Sequence, residues 1–248
     1  MQHEIKIVAD AVQLAREAAD EFLRLAQAAV REKDLFTVAL SGGSTPKILY
    51  SLLANEEPWR SNLPWEKIHF FWGDERHVPP SDPDSNYRMT YEAMLSKAPV
   101  PSSNVHRIKG EEPDAQKAAA EYERELRGFF HLPPHEFPAF ELILLGIGPD
   151  GHTASLFPGT DALKERERLV VANWVEKFNA YRITLTLPVL NNAANIVFLV
   201  SGAEKAKVLR AVLQGESGAE QFPAQMIRPV NGRLLWLVDE TAASALNE

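Results

Sequence analysis

Asp150 and His152 stand two residues apart in FELILLGIGPDGHTASLFPG, the segment from Phe140 to Gly159. An imidazole can take up a proton near neutral pH, and a neighbouring carboxylate can orient the ring or stabilise its charged form. The spacing leaves open which ring nitrogen the carboxylate meets. The apolar run Leu142 to Leu145 reads as a buried strand, and the glycines after it let the backbone bend and approach a ligand closely. A helix is expected to begin soon after His152. Open α/β sheets bind ligands in the crevice beyond the carboxyl ends of their strands, where this pair would lie.

Four other groups of residues carry chemical potential. The turn SGGSTP supplies Ser41, Gly42, Gly43, Ser44 and Thr45 between a strand and a helix start. Free backbone N–H groups at such a place bind anions, above all phosphate, although a plain tight turn has the same letters. It is not a P-loop, because the second glycine ahead of Lys47 is missing, nor a serine-hydrolase elbow, because Pro46 stands where glycine is needed. GDER, Gly73 to Arg76, puts Asp74, Glu75 and Arg76 in a polar loop after a strand. The planar fork of Arg76 suits an oxyanion or a phosphate, and an ion pair with Asp74 or Glu75 is the simpler alternative. Arg182 interrupts the strand YRITLTLP, where a buried arginine needs a partner and an anion would supply one. Lys205, after SGAE at a helix start, is either a solvent-facing lysine or a further cation for the same anion.

Two tempting motifs carry less. GIGPDG, Gly146 to Gly151, matches the dinucleotide fingerprint G-x-G-x-x-G, but the ribose-binding acid expected about 20 residues later is absent from VVANWV, Val170 to Val175. Asp150 inside the motif would also repel a pyrophosphate. His131 and His135 have a helical metal-ligand spacing, but Pro133 and Pro134 between them break any helix.

The elements that must position these residues follow from periodicity. Helices are expected over Ala11 to Val30, from Pro46 to about Ala54, and over Asn86 to Lys97, Pro113 to Phe130 and Ala203 to Gln214. Strands are expected over Leu35 to Leu40, Ile68 to Trp72, Phe140 to Leu145, Tyr181 to Leu187, Ile196 to Val200 and Leu234 to Val238. This alternation predicts an α/β fold with a largely parallel, Rossmann-like sheet flanked by helices on both faces. Residues 1–248 read as a single domain, with HLPPHEFPAF as an internal loop.

Composition narrows the class. The 248 residues are 45% apolar, carry a formal net charge of −8 and include no cysteine. Disulfides, thiolate catalysis and cysteine-rich zinc sites are excluded, and a cytoplasmic setting is expected. No basic run invites nucleic acid, no apolar run spans a bilayer, and the N-terminus does not read as a secretory signal.

Together, SGGSTP, WGDERHVP, DSNYRM, GIGPDGHTASLFPG, YRITLTLPVLNNA, SGAEKAKVL and PAQMIRPVNGRLLWLVDETAA resemble the 6-phosphogluconolactonases, in the same order, from about Phe36 to Ala243. The resemblance implies a fold related to glucosamine-6-phosphate deaminase and ribose-5-phosphate isomerase. It implies hydrolysis of 6-phospho-D-glucono-1,5-lactone in the pentose phosphate pathway, with no metal or organic cofactor. His152 and Asp150 would then be the catalytic pair and Arg76 the oxyanion stabiliser. Ser41, Gly42, Gly43, Ser44, Thr45, Asp74, Arg182 and Lys205 would bind the phosphorylated substrate. The deaminases are the alternative, because they share SGGSTP and D-G-H. They carry a glutamate seven residues after the aspartate, where this chain has Phe157, and an aromatic residue where it has Arg76. The oligomeric state, monomer or weak dimer, stays open.

Overall fold

In a computed structural model, residues 3–215 and 221–246 are described. The strands are β1 (Glu4–Val8), β2 (Phe36–Leu40), β3 (Ile68–Trp72), β4 (Asp74–Arg76), β5 (Leu142–Leu145), β6 (Val170–Val175), β7 (Ala180–Leu185), β8 (Asn195–Val200) and β9 (Arg233–Asp239). The helices are α1 (Ala11–Lys33), α2 (Ser44–Asn55), α3 (Trp59–Asn62), α4 (Asn86–Thr90), α5 (Ala115–Phe129), α6 (Leu187–Asn191), α7 (Ala206–Gln214) and α8 (Glu240–Ala243).

Six strands form one parallel sheet in the order β1-β9-β8-β5-β2-β3. Its interior strands β2 and β5 are buried at every residue, as a sheet covered on both faces requires. Helix α1 buries Leu14, Ala15, Ala18, Phe22 and Leu25, its apolar stripe, and is capped by the Asp10 carboxylate accepting from the amides of Val12 and Gln13. Phe198 and Trp236 stack in parallel across β8 and β9 with ring centroids 3.8 Å apart.

The remaining strands correct the expectation of a single sheet. β4, β7 and β6 make a separate antiparallel sheet. Tyr181 to Leu187 is strand as expected through Leu185, but it pairs with β4 and β6 rather than entering the parallel sheet. GDER, read as a polar loop, contributes β4 directly after Gly73. Besides β4, two further strands went unread in the sequence: β1, a short edge, and β6, the VVANWV segment.

The helix expected after His152 does not form. Residues 153–160 are turns, with an isolated bridge between Thr153 and Leu156. Gly151 at φ +76, Ala154 at φ +47 and Gly159 at φ +73 lie in the left-handed region, and Pro158 stands just before Gly159. Helix α2 begins at Ser44, two residues before Pro46, so Ser44 and Thr45 belong to its first turn. Beyond Thr90 the chain passes into a π-helical turn, Tyr91–Leu95, and Ala203–Lys205 is a 3-10 turn that leads into α7.

Candidate active site

From β2 the chain passes to β3 on one side and later returns to β5 on the other, so the sheet order reverses between β2 and β5. Such a reversal opens a crevice at the carboxyl ends of the strands. Ser41 follows β2 and Gly146 follows β5, which places the two glycine-rich turns side by side.

The first turn is held from inside. Tyr50, nearly two turns into α2, accepts from the Ser41 amide at 3.0 Å and donates to the Ser41 carbonyl at 2.8 Å. Burial pushes the Tyr50 pKa far up, so its hydroxyl stays a donor. The Ser41 hydroxyl is buried with no partner among the described residues, a costly state that an anionic oxygen in the crevice would relieve. Gly42 packs so closely on Asn86 that a Cβ would sit 1.9 Å from Oδ1. Gly43, at φ +111, caps α2 without a side-chain bond, and the first-turn amides at Ser44 and Thr45 are the donors that helix geometry leaves for an anion.

Strand β4 supplies the floor. Asp74 is 6% exposed and accepts from Ser155 Oγ at 2.5 Å, while its carbonyl accepts from Asn86 Nδ2 at 3.0 Å. Glu75 is 2% exposed and accepts the amides of Arg76 and Asn86 at 2.7 Å each, that of Tyr87 at 2.8 Å, and Ser85 Oγ at 3.0 Å. It thereby caps α4 and holds Asn86 against Gly42. Burial raises the Glu75 pKa in spite of these donors. Arg76 makes no ion pair with either acid. Its Nη1 donates to the Asp84 carbonyl at 2.8 Å.

The second turn carries Asp150 and His152. His152 Nδ1 lies 2.5 Å from Asp150 Oδ1, which settles the question of the ring nitrogen and leaves Nε2 free of protein partners among the described residues. Gly148 is required beneath the ring, because a Cβ there would stand 2.0 Å from Cε1 and Nδ1. Phe157 stacks on the ring with centroids 4.0 Å apart. Burial pushes the His152 pKa below the ordinary histidine value, and the carboxylates of Asp150 and Asp74 pull it upward without prevailing. Burial also works to raise Asp150, but hydrogen bonds from His152 and Lys177 hold it below the usual aspartate value. The ring is therefore neutral, and Asp150 ionised, near neutral pH.

Arg182 on β7 stands opposite Arg76 on β4. Its guanidinium lies 5.1 Å over the Phe178 ring and, among the described residues, has no ion pair or hydrogen bond. Burial, followed by the like charge of Arg76, lowers its pKa. Lys205 ends the 3-10 turn ahead of α7, after the carboxyl end of β8, and is likewise without an ion pair among the described residues.

Several residues of the site escaped the sequence reading. Asn86 and Ser155 lie in segments whose letters were noted, DSNYRM and HTASLFPG, but nothing in the letters reveals that they meet Asp74. Lys177 and Phe178 come from the β6–β7 turn, where no motif marks them. A groove of about 700 Å3 opens beside this turn, lined in part by Asp150, Phe157, Trp174, Lys177 and Tyr181. It adjoins the site at Asp150 and does not contain His152, Arg76 or Arg182. Among the described residues, no three His, Asp or Glu side chains converge as metal ligands, and no helix is long and apolar enough to cross a membrane.

The family model described as glucosamine-6-phosphate isomerases/6-phosphogluconolactonase matches residues 9–236. A 6-phosphogluconolactonase of Nostoc sp. is 40% identical over 247 residues, with 100% of both chains covered. The solved structure of the 6-phosphogluconolactonase from Trypanosoma cruzi superposes with a TM-score of 0.87 at 29% identity, covering 100% of this chain and 98% of that one. A monomeric glucosamine-6-phosphate deaminase, 23% identical with a TM-score of 0.78 over 98% of this chain and 99% of that one, shares the fold.

Proposed function

We propose that this chain, which belongs to the glucosamine-6-phosphate isomerase/6-phosphogluconolactonase family, hydrolyses 6-phospho-D-glucono-1,5-lactone to 6-phospho-D-gluconate with His152 as general base. The observation that carries the mechanism is the 2.5 Å contact between Asp150 Oδ1 and His152 Nδ1, which leaves a neutral Nε2 to face a water. His152 takes a proton from that water as its oxygen bonds to the lactone carbonyl carbon. The tetrahedral oxyanion then collapses, the bond from carbon to ring oxygen breaks, and His152 returns the proton to the leaving alkoxide. Asp150 holds the ring and stabilises its transient positive charge. Arg76 is the side chain offered to the oxyanion. The Ser41–Thr45 turn, Arg182 and Lys205 take the phosphate, a cationic cluster that a protein of net charge −8 needs in order to attract an anion. Asp74, already engaged by Ser155, shapes the crevice wall and can accept from a sugar hydroxyl.

Phe157 favours the lactonase over a deaminase. It stacks on His152 where the deaminases, by the resemblance described above, place a glutamate. A direct assay decides the matter: titration of acid released from the phosphorylated lactone, beside assays for ammonia from glucosamine 6-phosphate and for aldose–ketose interconversion. Lactone hydrolysis that depends on His152 supports the reading. Turnover in either of the other assays with none on the lactone overturns it.

A further inference from the structure

The turn joining β6 to β7 reaches back to the catalytic pair from 25 residues further along the chain. Glu176–Phe178 forms a 3-10 turn and Asn179 adopts the left-handed conformation, φ +48 and ψ 43, that reverses the chain into β7. The pairing of Val175 with Ala180 closes the hairpin. Two consecutive side chains of this turn contact the site. Lys177 Nζ lies 3.3 Å from Asp150 Oδ2, the oxygen that His152 does not use. Phe178 meets the edge of Phe157, which itself stacks on His152, and its face lies under Arg182.

We propose that Lys177 is a positioning residue: it fixes the Asp150 carboxylate at Oδ2 while His152 occupies Oδ1, and so governs both the direction of His152 Nε2 and the proton state of the ring. The inference rests on His152 being the base. A carboxylate held at one oxygen can rotate about its χ2 bond, whereas one held at both cannot, so the ring stays aimed. The charged groups that face His152 are Asp150 from its own turn, Asp74 from β4 and Lys177 from the hairpin. The two carboxylates favour the protonated ring, and Lys177 is the cation that opposes them. The Lys177 side chain is 55% exposed, so salt partly screens its effect and the protein does not need it for its core.

The test compares Lys177→Met and Lys177→Arg with the wild-type chain. Lactone hydrolysis is followed against pH, and the His152 ring is titrated by NMR. For Lys177→Met, kcat is expected to fall roughly three- to tenfold with KM within about twofold, by the logic of a lost orienting contact. The acid limb and the His152 titration should move to higher pH by about half a pH unit at low salt, and by less at high salt. Lys177→Arg keeps the charge and a donor and should recover most of both losses. Profiles that superimpose on wild type would make the contact an idle surface pair and overturn the proposal. So would a rise in KM alone, which would make Lys177 a phosphate ligand. Absence of lactonase activity in the wild-type chain would instead remove the proposed function, and the NMR titration would still report on Lys177.

Discussion

Arg76 and Arg182 stand directly opposite one another across the β4–β7 antiparallel pair. Residues so placed project from the same face of the sheet, and two like charges there repel. Arg76 is tethered to the Asp84 carbonyl, while Arg182 lies on Phe178 with no ion pair among the described residues. An anion between or beside them turns a repulsive arrangement into a binding one. Arg182→Ala is therefore expected to raise KM for the phosphorylated lactone about ten- to a hundredfold, from about 1.5–3 kcal/mol of charge-assisted bonding. The loss should largely vanish with unphosphorylated gluconolactone. Equal damage with both substrates would move Arg182 out of the phosphate site.

Arg76→Lys separates the two arginines. An ammonium cannot keep the bond to Asp84 and also present a planar fork. If Arg76 serves the oxyanion, kcat drops ~10-fold or more in a protein whose circular dichroism matches wild type. A wild-type kcat with raised KM would assign Arg76 to the phosphate beside Arg182.

His152→Ala should lower kcat by ~10²–10⁴ and leave affinity for 6-phosphogluconate nearly unchanged, because a general base acts on the transition state. Isothermal calorimetry with the product gives the second half of the test. Loss of product affinity of the same size would recast the residue as a ligand for the sugar.

The pH profile has a determined sign. The folded pKa of His152 is depressed by burial, so the acid limb of kcat/KM should have its midpoint below the ordinary histidine value of about 6.5. Asp150→Asn removes the nearest charge that favours the protonated ring, so the midpoint should fall further while kcat also falls. The same depression makes the folded state bind fewer protons at this group than the unfolded state does. His152 therefore contributes a loss of stability as pH drops through and below about 6.5, and none above it. An acid limb that moved upward in Asp150→Asn would contradict the role given to the pair.

Two alanine substitutions, two residues apart in sequence, test the packing beneath the His152 ring. Gly148→Ala would place a Cβ 2.0 Å from the His152 ring, whereas Gly146→Ala meets nothing within 4 Å. The first should cost more than tenfold in kcat and about 1–3 kcal/mol of stability by overpacking; the second should leave both close to wild type. Denaturant melts with steady-state kinetics check each half, and equal effects would mean that the ring moves aside freely.

The sequence by itself determined most of the parallel sheet and the closeness of Asp150 to His152. Leu142 to Leu145 and Ile196 to Val200 read as buried strands from their apolar runs alone, because a strand covered on both faces needs nothing else. Asp150 and His152 are two residues apart, so their meeting is a local event that spacing can foretell. The tertiary structure decided what crosses long stretches of chain. A β-strand pattern records its own period and not its partner, so Tyr181 to Leu185 could be recognised as a strand without betraying that it pairs with Asp74–Arg76. Only that pairing sets Arg182 against Arg76. Likewise, nothing near Lys177 indicates that a closed hairpin brings its ammonium to Asp150, 27 residues away, and nothing in Phe157 indicates that a failed helix lays its ring on His152. The placements of Arg182 and Lys177 come from contacts between segments far apart in the chain, which local propensity cannot encode.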